Sequence, residues 1–97
     1  MSRRRSRLEI ILNILSVIKG GNDKPTRIMY AINLSWNPTQ MLLSNLVDHG
    51  LLEVRTASGR SKKRYMITEK GVNVLAYFDK ANEILPKGAY LLHALSR

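Results

Sequence analysis

Nine cations fall into two groups along the chain: Arg3, Arg4, Arg5 and Arg7 near its start, and Arg55, Arg60, Lys62, Lys63 and Arg64 past its middle. Neither group is interrupted by an acid. The seven remaining bases equal the seven acids in number, so these nine account for the formal net charge of +9. A charge excess serving only solubility would be spread over the surface. Segregated, it repels itself, and a polyanion relieves that repulsion. The phosphate backbone of a nucleic acid is the commonest such partner. A second set carries different chemistry. Asn37, Gln40, Met41, Ser44 and Asn45, with Asp48, fall on one side of a helix at 100° per residue. Amides and hydroxyls in that arrangement can hydrogen-bond base edges.

Other chemistries lack their residues. There is no cysteine, which removes thiolate catalysis, disulfide scaffolds and zinc fingers and suits a reducing compartment. His49 sits at a helix end, where the dipole favours it in a structural role, and His93 has no acidic companion nearby in sequence. Gly20-Gly21 and Gly59 do not have the spacing of a phosphate loop. No metal, cofactor or enzymatic activity is therefore expected. The longest apolar runs are far below the roughly 20 residues that span a bilayer, and the arginine-rich start lacks the pattern of a signal peptide. The expected location is the cytoplasm, associated with the nucleoid.

The elements that must position these residues can be read from periodicity. Ninety-seven residues, 44% apolar, make about one small domain with a thin core, so a second copy would help it. Ser6-Arg7-Leu8-Glu9 is a capping box opening a helix over 7–19, stopped by Gly20-Gly21. Its apolar stripe is wide enough for two neighbours, the last helix being one candidate. Thr26 can cap a short helix from Arg27 to Ile32, which Asn33-Leu34 ends. Ser35 is the next cap, for a helix from Trp36 to about His49, and Pro38 lies within its first turn. Leu42, Leu43, Leu46 and Val47 face inward with Thr39. Gly50 ends that helix.

Leu52 and Val54 alternate with Glu53 and Arg55 in a half-buried strand, and Arg64 to Thr68 forms a second. The residues between make a basic hairpin tip. Thr68 caps a final helix, with Glu69 at its positive end. Val74, Tyr77, Ala81 and Ile84 form one seam on it, and Leu75, Phe78, Asn82 and Leu85 an adjacent one, both stepping 3 and 4. A stripe that wide calls for a partner, and a homodimer is expected. Asn82 either fixes the register of such a pairing or lies at its edge. Pro86 ends or kinks the helix.

Three helices followed by a basic hairpin is the element order of a winged helix-turn-helix, whose second motif helix enters the major groove. The fold expected is mainly α with a small β-hairpin (α+β). Residues 1–68 form the DNA-binding unit with its basic arm, and residues 69–97 a C-terminal dimerisation helix. Asn37, Gln40, Met41, Ser44 and Asn45 then read bases. Arg3, Arg4, Arg5, Arg60, Lys62, Lys63 and Arg64 hold phosphates, and Arg27 either joins them or makes a surface ion pair. Trp36 packs between the second and third helices, or else stacks on the DNA backbone.

Particular runs strengthen this reading: Arg5-Ser6-Arg7-Leu8-Glu9-Ile10-Ile11, Thr26-Arg27-Ile28-Met29-Tyr30 through Asn33-Leu34-Ser35, Gly50-Leu51-Leu52, and Tyr65-Met66-Ile67-Thr68-Glu69-Lys70-Gly71. Over about residues 5 to 85 the chain resembles the small archaeal winged-helix DNA-binding proteins of the ten-kilodalton class. The resemblance implies an archaeal origin, an antiparallel coiled-coil homodimer through the last helix, and duplex binding in transcriptional regulation or nucleoid organisation. The wing here is longer and more basic than the family pattern, and Pro86 interrupts the coiled coil. The uncharged polar helix face favours a sequence-reading regulator over a low-specificity chromatin protein. A protein-docking module is the reading from a different class, resting on the apolar stripe of the last helix. Attachment to anionic membranes through Arg3 to Arg7 is disfavoured, because the first helix has the stripe of a core element.

Overall fold

The computed structural model describes residues 6–56 and 62–84. Helix α1, Arg7–Lys19, opens with the expected capping box: Glu9 N–H donates to Ser6 Oγ at 3.0 Å and Ser6 N–H to Glu9 Oε1 at 2.9 Å. Its positive-φ stop is Gly21 (φ 116°), one residue beyond the C-cap Gly20. Ile14, Leu15 and Ile18 are buried, and α1 packs on three elements. These are helix α2 (Pro25–Ile32), strand β2 (Lys63–Ile67) and helix α4 (Glu69–Ile84). The wide stripe of the first helix thus meets the last helix, as expected.

Two caps differ from the sequence reading. Helix α2 begins at Pro25, with Lys24 as N-cap and no side-chain cap, so Thr26 lies inside the helix. Proline at the first position has its φ already set and no N–H to leave unpaired, so the helix starts two residues early without a capping hydroxyl. Helix α3, Trp36–Asp48, has Ser35 at its N-cap, but the serine hydroxyl makes no capping bond. An N-cap oxygen ordinarily accepts from the second or third amide of the helix, and the third residue here is Pro38, which has none. The Ser35 carbonyl instead accepts from Thr39 Oγ1 at 2.8 Å, which satisfies this fully buried hydroxyl. Between α2 and α3 the chain turns on Asn33, in the left-handed conformation (φ 59°, ψ 48°) that asparagine tolerates. Leu34 N–H reaches back to Met29 O at 3.2 Å, completing a tight helix-turn-helix corner.

Strand β1, Leu52–Thr56, pairs antiparallel with β2 from Leu52↔Ile67 to Thr56↔Lys63. Only Leu52 of β1 is buried; Val54 is exposed, against the expected alternation. The reason is position in the layer. Strand β2 lies against α1, α2 and α4, whereas β1 is the outer strand and meets the helices mainly at α3. Beyond its first residue it runs out of core to face. On β2, Tyr65 is buried, and its N–H donates to Asp23 O at 2.8 Å, tying the hairpin to the α1–α2 turn.

Burial pushes the Tyr65 phenol up from its ordinary value. The fold therefore holds this proton more firmly than the unfolded chain does. Its contribution to stability is complete below about pH 10 and is lost as pH rises through the folded value. Thermal midpoints measured from pH 8 upward should fall above about pH 10 by more in the wild type than in Tyr65→Phe, which has no phenol to ionise. Equal slopes would show that Tyr65 ionises alike in both states.

The core gathers Ile14, Leu15, Ile18, Ile28, Ile32, Leu43, Leu46, Leu52, Tyr65 and Leu75. Helix α4 contributes through its first turns only, by Gly71 and Leu75, with Val74 half-buried beside them. At Gly71 an added Cβ would lie 2.5 Å from Leu51 O and 2.7 Å from Ile67 Cγ1, so only glycine lets the helix approach the root of the hairpin this closely. Thr68 caps α4 as expected, accepting from Gly71 N–H at 3.1 Å. The same hydroxyl lies 2.7 Å from Gly50 O and 3.0 Å from Leu51 O, and Lys70 Nζ donates to His49 O at 2.8 Å. The end of α3, the root of the hairpin and the start of α4 are thus joined at one place.

Candidate nucleic-acid interface

Helix α3 turns Thr39, Leu43 and Leu46 into the core, which leaves Asn37, Met41, Ser44, Asn45 and Asp48 exposed on the opposite side. Gln40 is half-buried at the margin. The structure therefore brings four of the five proposed base-reading residues onto one outward face, with Gln40 at its edge. His49 Nδ1 lies 2.8 Å from Asn45 O and fastens the C-terminal end of the helix, the structural role expected for it. Beside this face runs a groove of about 480 Å³ lined by Ile10, Leu34, Pro38 and Leu42, with Arg7, Asn37, Met41 and Asn45 around it. Arg7, the last arginine of the N-terminal run, thus stands beside the polar face of α3. Arg3, Arg4 and Arg5 lie outside the described residues, as does Arg60.

On the hairpin, Lys62 and Lys63 are exposed and Arg64 is half-buried. Arg64 sits directly across from Arg55. Like charges facing each other across a strand pair are destabilising. Each has a carboxylate close by: Glu53 Oε1 is 4.0 Å from Arg55 Nη2, and Asp23 Oδ2 is 3.7 Å from Arg64 Nε. Both contacts are long and solvent-exposed and contribute little stability. The wing keeps its cations at a cost that an anionic partner would lift.

Arg27 is exposed on α2. Trp36 is exposed too, at 45%, rather than packed between α2 and α3. Its helical angle points toward the core side, but it stands at the first position of α3, a turn ahead of Thr39, where the buried part of the helix begins. Tyr30, on the outward side of α2 and 78% exposed, was not singled out by sequence reasoning. Its position two residues from both Ile28 and Ile32, each buried, was the available signal.

On α4, Leu75 is buried in the core of the protomer itself. Tyr77 and Ile84 are exposed, Phe78 and Ala81 half-buried, and Asn82 exposed. The Tyr77 and Phe78 rings meet edge to face at 5.4 Å. Leu85 and Pro86 lie outside the described residues. Among the described residues no helix is long and apolar enough to cross a membrane.

The order α1, α2, α3, β1, β2, with a three-residue corner before α3 and a hairpin after it, matches the winged helix-turn-helix family profile over residues 4–85. The chain belongs to the winged helix-turn-helix family. An uncharacterized protein of Methanocaldococcus jannaschii, MJ0287, is 32% identical to this winged helix over 82 residues, covering 84% of this chain and 78% of the relative. Among solved structures it is similar to Sso10a-2, a DNA-binding protein from Sulfolobus solfataricus, with 28% identity and a TM-score of 0.68 over 96% of this chain and 98% of that one. The likeness to small archaeal winged-helix proteins expected from the sequence is thus found. It also shares its fold with FabT of Streptococcus pneumoniae, solved in complex with DNA, at 16% identity and a TM-score of 0.66. That match covers 75% of this chain, which spans 52% of FabT.

Proposed function

We propose that this winged helix binds double-stranded DNA as a homodimeric transcriptional regulator. Helix α3 enters the major groove, and the wing and the N-terminal arm lie on phosphates. One observation carries the reading. An exposed, almost uncharged face of amides, a hydroxyl and a thioether occupies the position of a recognition helix, while the cations stand on other elements. That division suits a protein whose affinity comes from phosphates and whose choice of site comes from bases. Asn37, Gln40 and Asn45 supply paired donors and acceptors for adenine, and Met41, beside the apolar groove, an apolar contact for thymine methyls. The DNA-binding relative Sso10a-2 and the FabT complex support the duplex as partner. Tyr77 and Ile84, exposed on α4 beyond the core, support a second copy as the other.

A low-specificity chromatin protein is the second reading, favoured by the concentration of charge on the wing, which holds any duplex equally. Titrating two labelled duplexes, one random and one from the protein's own promoter, at three salt concentrations separates the two. A regulator binds the promoter at least roughly tenfold tighter, with the gap persisting at higher salt. Equal binding with a steep salt dependence supports the chromatin protein, and binding to neither favours a protein-docking module.

A further inference from the structure

Lys24 balances an acid in the overall charge and belongs to neither cationic run. In the fold it joins one of them. A cleft of about 270 Å³ opens between the first turn of α2 and the start of β2, lined by Lys24, Pro25, Thr26, Lys62, Lys63 and Arg64. Four of these six side chains are cations, and none of the six is an acid. Two contacts hold the walls together: the Tyr65 N–H bond to Asp23 O, at 2.8 Å, and the approach of Asp23 Oδ2 to Arg64 Nε, at 3.7 Å. Asp23, the acid nearest in sequence, thus leans on Arg64 outside the lining. Lys24, Lys62 and Lys63 are exposed, so their ammonium groups are free to turn toward an anion placed between them. The Thr26 hydroxyl adds a neutral donor. The first turn of α2 contributes no acid that would repel an anion.

We propose that this cleft seats one backbone phosphate of the duplex, held jointly by Lys24 from the helix-turn-helix and by Lys62, Lys63 and Arg64 from the wing. The proposal rests on the duplex-binding reading and adds to it a contact residue, Lys24, and a physical link. A phosphate in this seat bridges the wing to α2, so wing and recognition unit engage the same stretch of backbone. Because the seat holds a phosphate and no base, it adds affinity without choosing sequence.

The test is a set of salt titrations on the full chain with the same two duplexes, using Lys24→Ala, Lys63→Ala, the double variant, and Lys19→Ala as a cation that ends α1 on the side of α4, outside this cleft. Circular dichroism melting checks that each variant folds. Lys24→Ala is expected to weaken binding to both duplexes alike, by about threefold to tenfold near 0.1 M salt, and to make the slope of log affinity against log salt shallower by about 1. Lys19→Ala should leave both unchanged. In the double variant the two losses should sum to less than their separate values, because the residues share one phosphate. A Lys24→Ala protein that binds like wild type overturns the proposal, as does a loss confined to one duplex or strict additivity with Lys63→Ala. If the wild type itself binds neither duplex, the DNA-binding reading falls and the seat falls with it, a result distinct from a silent Lys24 in a chain that binds.

Discussion

Replacing Lys62 and Lys63 together by alanine will weaken binding to every duplex and flatten its salt dependence, with little effect on which sequence is preferred. Each phosphate neutralised contributes about 0.9 to the slope of log affinity against log salt, so losing the one phosphate that these two lysines share removes about 1 unit. Extrapolated from 1 M, where the electrostatic contribution fades, to 0.1 M, the loss comes to roughly tenfold. Both side chains are exposed, and removing them costs the fold nothing. Asn37→Ala and Gln40→Ala are expected to do the opposite. The slope stays, while the gap between promoter and random duplex narrows by the about 1–3 kcal/mol that a bidentate amide contact is worth against a wrong base. Filter binding or anisotropy at three salt concentrations measures both effects. Equal losses on all DNA from the lysine and the amide variants would falsify this division of labour.

The second large effect concerns stability. In Gly71→Ala the new methyl meets a backbone carbonyl oxygen at 2.5 Å and a branched side chain at 2.7 Å. Neither is the free end of a flexible chain, so the helix or the wing root must shift. Overpacking of this kind costs about 1–3 kcal/mol, against about 1 kcal/mol gained from the better helix former. In a domain of this size each kcal/mol of net loss lowers the thermal midpoint by roughly 4–8 °C. At Gly20 the φ is −76° and an added Cβ meets only ordinary contacts at 3.5 and 3.6 Å. Gly20→Ala should therefore melt no lower than wild type. A Gly71→Ala protein with an unchanged midpoint would mean that α4 can back away from Leu51 freely.

The capping box at Ser6 and Glu9, the helix break at Asn33-Leu34 and the Thr68 cap were legible because each depends on residues within a few positions of one another. Trp36 and Val54 were misread for a shared reason. Periodicity reports the side of an element on which a residue lies, but whether core exists on that side depends on where neighbouring elements end. Ser35 does stand at the N-cap of α3, but its hydroxyl makes no capping bond, and Pro38 removes one of the two amides it could have bound. The recognition face could be read from spacing along one helix. Lys24 could not, because it lies some 40 residues from the wing, and contacts of Asp23 with Tyr65 and Arg64 bring the two together.

Thr68 bonds the carbonyls of Gly50 and Leu51 while capping α4, and Lys70 reaches the carbonyl of His49. The last helix is therefore tied to the C-terminal end of α3. In a pair of protomers joined through α4, such a joint works as a rigid lever. A change in the angle at which the two α4 helices cross swings the two reading heads apart or together, and the natural separation on DNA is one helical turn, about 34 Å. In a dimer of the proposed kind, the spacing of half-sites would thus be set by the long helix rather than by the residues that meet the DNA.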